Sequence, residues 1–109
     1  MKADEKHVDH LLTELTVGLN GIYGSRLKGL YLYGSYARGE EDEESDLDIL
    51  VVLDQFDSYA REVDRTGQLA SDLSLKYGIT VSKVFIREAQ WSQGDTSFLS
   101  NVRDEAILL

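Results

Sequence analysis

The segment Leu47-Asp48-Ile49-Leu50-Val51-Val52-Leu53-Asp54 constrains the fold more than any other part of the chain. It is a short, aliphatic, β-branched run, so it reads as a strand that other elements must cover. A second run, Leu27 to Tyr33, is aromatic and aliphatic and is closed by Gly34-Ser35. Residues Ile79 to Ile86 form a third. Between and around these, apolar residues recur at steps of three and four. Val8, Leu11, Leu12, Leu15, Leu19 and Ile22 predict one helix. Tyr59, Val63, Thr66, Ala70, Leu73 and Tyr77 predict another over 58–77, with Asp57 or Ser58 as its cap and Gly78 as its stop. A last helix is expected over Thr96 to Leu108, capped by Asp95 or Thr96. The order is α-β-(short α)-β-α-β-α. It implies an α+β or α/β architecture, a small mixed sheet of about three strands with helices packed against it. The short first connection favours antiparallel pairing, and the long second one permits parallel pairing. The terminal Ala106-Ile107-Leu108-Leu109 is expected to be buried in the core.

At 109 residues the chain suits a single domain, 1–109. Lys plus Arg is 11 and Asp plus Glu is 20, a formal charge of -9. A surface that negative repels phosphate backbones, so direct nucleic-acid binding and anionic-membrane docking are not expected. A basic partner or a cation is favoured instead. There is no Cys, hence no disulfide framework and no thiol nucleophile. His7 and His10 are three apart on the first helix; a metal could use that spacing, but solvated surface histidines are the plainer reading. The amino-terminal residues lack a signal-peptide apolar stretch, and no run approaches the ~20 apolar residues of a membrane span, so a cytoplasmic protein is expected.

Chemistry concentrates between residues 33 and 53. Gly34-Ser35 follows a strand at the start of a short helical turn. Glycine there lets a ligand approach the backbone, free N–H groups favour an anion, and the Ser35 hydroxyl adds a donor. Asp46 and Asp48 are two apart at the mouth of the aliphatic strand, on one face and about 6.6 Å apart at Cα. Paired carboxylates repel unless a cation lies between them, and Mg²⁺ takes one or two carboxylates plus substrate phosphates. Arg38 is the only base between residues 29 and 60. It either pairs with the acids of 40–44 or reaches a phosphate. That acidic stretch lacks the glycine and flanking helices of a calcium-binding EF-hand and reads as a solvated loop tip.

Gly34-Ser35-Tyr36-Ala37-Arg38-Gly39 followed by Ser45-Asp46-Leu47-Asp48-Ile49-Leu50-Val51 resembles the signature of the minimal nucleotidyltransferases, in the DNA polymerase beta superfamily. The resemblance implies the nucleotidyltransferase fold over most of the chain. It implies Gly34 and Ser35, with Arg38, on the phosphates of ATP, and Asp46 and Asp48 as catalytic residues binding Mg²⁺. It also implies an antitoxin that transfers AMP to a tyrosine of a helical HEPN-type toxin. One position departs from the family pattern. A third carboxylate is expected on the next strand, where Ser82 stands; Glu88 and Asp95 are the nearest alternatives, unsupported by spacing. The departure leaves open a weak or inactive module that neutralises its partner by binding alone. Homo- or hetero-oligomerisation is left open by the sequence.

Overall fold

The computed structural model describes residues 5–109. Helix α1 (Glu5–Tyr23) leads through a 3₁₀ turn (Gly24–Arg26) into β1 (Leu27–Tyr33). A four-residue helix, α2 (Ser35–Arg38), and an acidic loop connect to β2 (Leu47–Leu53). Then come α3 (Tyr59–Tyr77), β3 (Val81–Arg87), α4 (Glu88–Gln93), α5 (Ser97–Glu105) and β4 (Ile107–Leu108). The sheet order is β3-β2-β1-β4. β2 pairs antiparallel with β1 and parallel with β3, as the two connection lengths respectively favour and permit.

The sheet has four strands rather than three. The helical periodicity of Leu99, Val102 and Ala106 runs past the point where the helix stops. Ala106 turns extended, with ψ 139°, and Ile107 and Leu108 pair with Leu32 and Tyr31 of β1. Backbone pairing along an otherwise open strand wins over another half-turn of helix. The expected burial of these terminal residues is corrected accordingly. Ile107 and Leu108 are 47% and 68% exposed, while Leu109 packs on the core.

β2 is covered on both faces, which is why its aliphatic run barely alternates. On one face Leu47, Ile49, Val51 and Leu53 meet Leu11, Leu15 and Leu19 of α1 and Leu73 of α3. On the other, Leu50 and Val52 meet Leu99 and Val102 of α5, with Trp91 of α4 alongside. Three stripe residues differ from expectation. Ile22 is exposed, and Tyr23 takes the buried place at the end of α1. In α3, Tyr59 and Val63 are largely exposed and Glu62 is buried at 3%. The Tyr23 hydroxyl donates to Glu62 at 2.7 Å and Arg65 donates at 3.2 Å, so the buried carboxylate is paired rather than orphaned. Ser58 caps α3 by accepting from the Arg61 N–H, and Gly78 ends it. No helix among the described residues is long and apolar enough to cross a membrane.

The outer margin of β3 is partly covered from α3. The Val81 N–H donates to Ser74 Oγ and the Phe85 N–H donates to the Tyr59 hydroxyl. α1 and α3 are tied by Glu14, which accepts from Lys76 Nζ at 2.9 Å and from the Tyr77 hydroxyl. These bonds hold the Glu14 carboxyl below its usual range, the Tyr77 bond foremost. A lowered folded-state value gives stability that is present above the unfolded value and lost as pH falls through the folded one. Glu14→Gln therefore melts at a lower temperature than wild type at pH 7. The gap closes below about pH 4, where unfolded glutamate takes up its proton. Thermal melts of both proteins across that range check it.

Candidate functional site

The end of β1, the turn into α2 and the start of β2 meet at Gly34. Its backbone, φ 77° and ψ −158°, lies in a region that L side chains avoid. A Cβ there would fall 2.2 Å from Asp48 Oδ2, so only glycine lets this carboxylate lie against the main chain. The Gly34 carbonyl accepts from the Ala37 and Arg38 N–H groups, closing the corner. α2 is only four residues long, so a helix dipole contributes little. Any anion held here is held by individual donors. The half-buried Ser35 offers one, its hydroxyl being unbonded among the described residues.

Asp48 is half-buried on β2, opposite Tyr33 of β1 and Ser82 of β3 in register. Asp46 is exposed, one residue before the strand. The Asp48 carboxyl is pushed up, first by burial and then by the charge of Asp46. The pair thus feel each other, as the two-residue spacing requires. Among the described residues neither carboxylate accepts a hydrogen bond or pairs with a base. Two adjacent acids with unclaimed lone pairs suit a hard divalent cation. No three ligand-type side chains among the described residues gather as a metal site. The same surroundings push the Tyr33 hydroxyl up to about 12, mainly by burial and then by Asp48.

Arg38 reaches over the corner. Its Nε donates to Glu40 at 3.0 Å, as the sequence suggested for a nearby acid. Its Nη1 donates to Glu105 Oε2 at 2.7 Å, and the Gly34 N–H donates to Glu105 Oε1 at 3.3 Å. Sequence reasoning missed Glu105. It lies in the last turn of α5, 67 residues from Arg38, and looks like any exposed helical acid. The fourth strand is the signal that could have found it, because β4 pins the end of α5 beside β1.

Ser82 occupies the place beside Asp48 where the family pattern expects a third acid. Neither alternative replaces it. Glu88 follows the far end of β3, six residues or about 20 Å along the strand from Ser82, and Asp95 lies beyond α4. His7 and His10 form no part of the site. His7 Nε2 lies 2.8 Å from the Tyr77 carbonyl, and His10 is exposed on α1. A surface cavity of about 300 Å³ lined by Arg26, Asp54, Arg61 and Arg65 lies at the opposite end of β2. Arg26 and Arg65 are already paired there, with Asp54 and Glu62.

The pattern of the nucleotidyltransferase domain matches residues 18–109, which include every residue of this corner. The chain belongs to that family. This nucleotidyltransferase domain is 35% identical over 99 residues to a Methanocaldococcus jannaschii protein provisionally named a protein adenylyltransferase, covering 90% of this chain and 93% of the relative. A second protein of that organism, named likewise, is 31% identical over 97 residues, covering 89% and 93%. Solved structures share the fold. A minimal nucleotidyltransferase superposes with a TM-score of 0.64 at 24% identity, covering 99% of this chain and 97% of the other. A toxin–antitoxin structure with AMP-PNP gives a TM-score of 0.60 at 21% identity, covering 86% and 68%.

Proposed function

We propose that residues 1–109 act as one catalytic unit that transfers AMP from Mg–ATP to a hydroxyl of a partner protein, a tyrosine of a HEPN-type helical toxin, and so acts as its antitoxin. The observation that carries this is the pair of unclaimed carboxylates, Asp46 and Asp48, against the Gly34 backbone. The named adenylyltransferase relatives support the reaction class. A fold neighbour, a Shewanella oneidensis HEPN toxin in tri-AMPylated form with its MNT antitoxin (TM-score 0.52, 17% identity), supports the partner class. ATP as substrate places the reaction in the cytoplasm.

In this reading Gly34 and Ser35 hold phosphate oxygens and Arg38 supplies a planar fork for them. Asp46 and Asp48 hold Mg²⁺, which when bound neutralises charge on the phosphates. The acceptor oxygen attacks the α-phosphorus of ATP and a new O–P bond forms. The bond to the β-phosphate breaks, pyrophosphate leaves, and the hydroxyl proton is lost to solvent. Positioning and charge neutralisation supply most of the catalysis. The test is incubation with α-labelled ATP, Mg²⁺ and the product of the neighbouring gene. Label on a toxin tyrosine is expected; no label, with no Mg–ATP stabilisation in a thermal melt, overturns the proposal.

A second reading, neutralisation by binding alone, draws on one observation: the neighbour of Asp48 is Ser82, which cannot serve as a base. The two readings part on Ser82→Asp. In a catalytic domain lacking one acid, this change speeds transfer on the order of tenfold or more, since a positioned base contributes about 10²–10⁴. In a pure binding module it leaves neutralisation unchanged and no label appears. Single-turnover labelling together with a toxin-protection assay separates them.

A further inference from the structure

Glu105 sits where the proposed function needs a phosphate. Its two carboxylate oxygens accept from the Gly34 N–H and from the Arg38 guanidinium, one donor each. A phosphate uses the same kinds of donor in the same way, so carboxylate and phosphate are rivals for this corner. The contact is not a local accident of sequence. Glu105 lies 71 residues from Gly34, and its place is set by the packing of Leu99 and Val102 and by β4 pairing with β1. The chain also brings a third negative charge to a corner that already holds Asp46 and Asp48, and the field of Glu105 reaches both Asp48 and Tyr33.

We propose that Glu105 is a built-in competitor for the phosphate-binding donors, and that nucleotide enters by displacing its carboxylate from Gly34 and Arg38. This rests on the reading of the corner as a nucleotide site. The hold is firm enough to close the corner and weak enough to yield. One bond is a long 3.3 Å, and the ion pair joins side chains that are 43% and 23% exposed. Exposed pairs of this kind are readily broken. Once released, Glu105 leaves the Gly34 N–H and one edge of the Arg38 fork free, while Glu40 still orients the Nε edge. The affinity measured for nucleotide is then the intrinsic affinity reduced by the fraction of molecules with the corner open. Glu105 would thereby set a threshold of nucleotide concentration below which the domain stays closed.

The test is calorimetric titration of the full chain with Mg–ATP, and separately with magnesium tripolyphosphate, for wild type and Glu105→Gln. The glutamine keeps an acceptor for the Gly34 N–H but loses the charge that holds Arg38. Both probes are expected to bind the variant about three- to tenfold more tightly. A thermal melt shows that the variant is folded. Should it not fold, Glu105→Asp, which retracts the carboxylate by one methylene, serves instead and is expected to show a smaller gain of the same sign. Unchanged affinity overturns the competitor role and assigns Glu105 a structural one. Weaker binding also overturns it, in favour of a carboxylate that helps hold the cation. Both results leave the nucleotide site intact. Failure of both probes to bind both wild type and variant overturns the nucleotide site itself and the competitor role with it.

Discussion

If the proposed transfer runs at this corner, Asp46→Asn and Asp48→Asn together are expected to abolish labelling with AMP, lowering the single-turnover rate by at least about a thousandfold. Asparagine keeps the size and shape of each side chain but removes the charge that draws a cation. The loss is chemical rather than structural, because neither carboxylate bonds to another described residue. Burial already disfavours the charged form of Asp48, so its removal does not unfold the chain. The double variant is expected to melt no lower than wild type at pH 7. Each single change costs nearly as much as the pair, since the two act as one unit. A double variant that labels the partner within tenfold of the wild-type rate would remove these acids from the mechanism.

Gly34→Ala is the second large effect, and it strikes stability and activity together. A side chain in this backbone region costs on the order of 1–3 kcal/mol. The new methyl group also meets Asp48 Oδ2 at 2.2 Å, so the carboxylate must swing away from the corner. For a domain of this size each kcal/mol lowers the melting point by about 4–8 °C. A fall on the order of 5–20 °C is expected. In the fraction that remains folded, Asp48 no longer lies against the backbone and transfer is lost. Melting curves beside labelling at 15 °C, below the transition, read the two effects separately. An alanine variant with unchanged melting would mean that the strained turn does not set the corner.

Much of this was legible because it is local. The strand from Leu27 to Tyr33 declares itself by composition, and the central strand by its aliphatic run. The ends of α3 are marked by a serine and a glycine that each do one local job. Asp48 stands out because a carboxylate inside an aliphatic strand needs a reason. What escaped reading is what depends on distant partners. The inward face of α3 is turned toward Glu62 rather than Val63 because Tyr23 of another helix offers a hydroxyl. α5 stops at Glu105 because β1 has backbone groups to satisfy, a demand that periodicity within residues 96–108 cannot register. Glu105 gained its place only through that stop. The six-residue α4, Glu88–Gln93, has no apolar stripe long enough to announce a helix.

The partly stoppered margin of β3 bears on how other molecules approach. With Ser74 and Tyr59 occupying the outward amides of Val81 and Phe85, that side offers an interrupted template to a visiting strand, whether from a second copy or from a target. What that side presents is side-chain shape and charge more than a continuous main-chain ladder. Those are the terms on which a helical visitor, carrying no unpaired backbone of its own, is read.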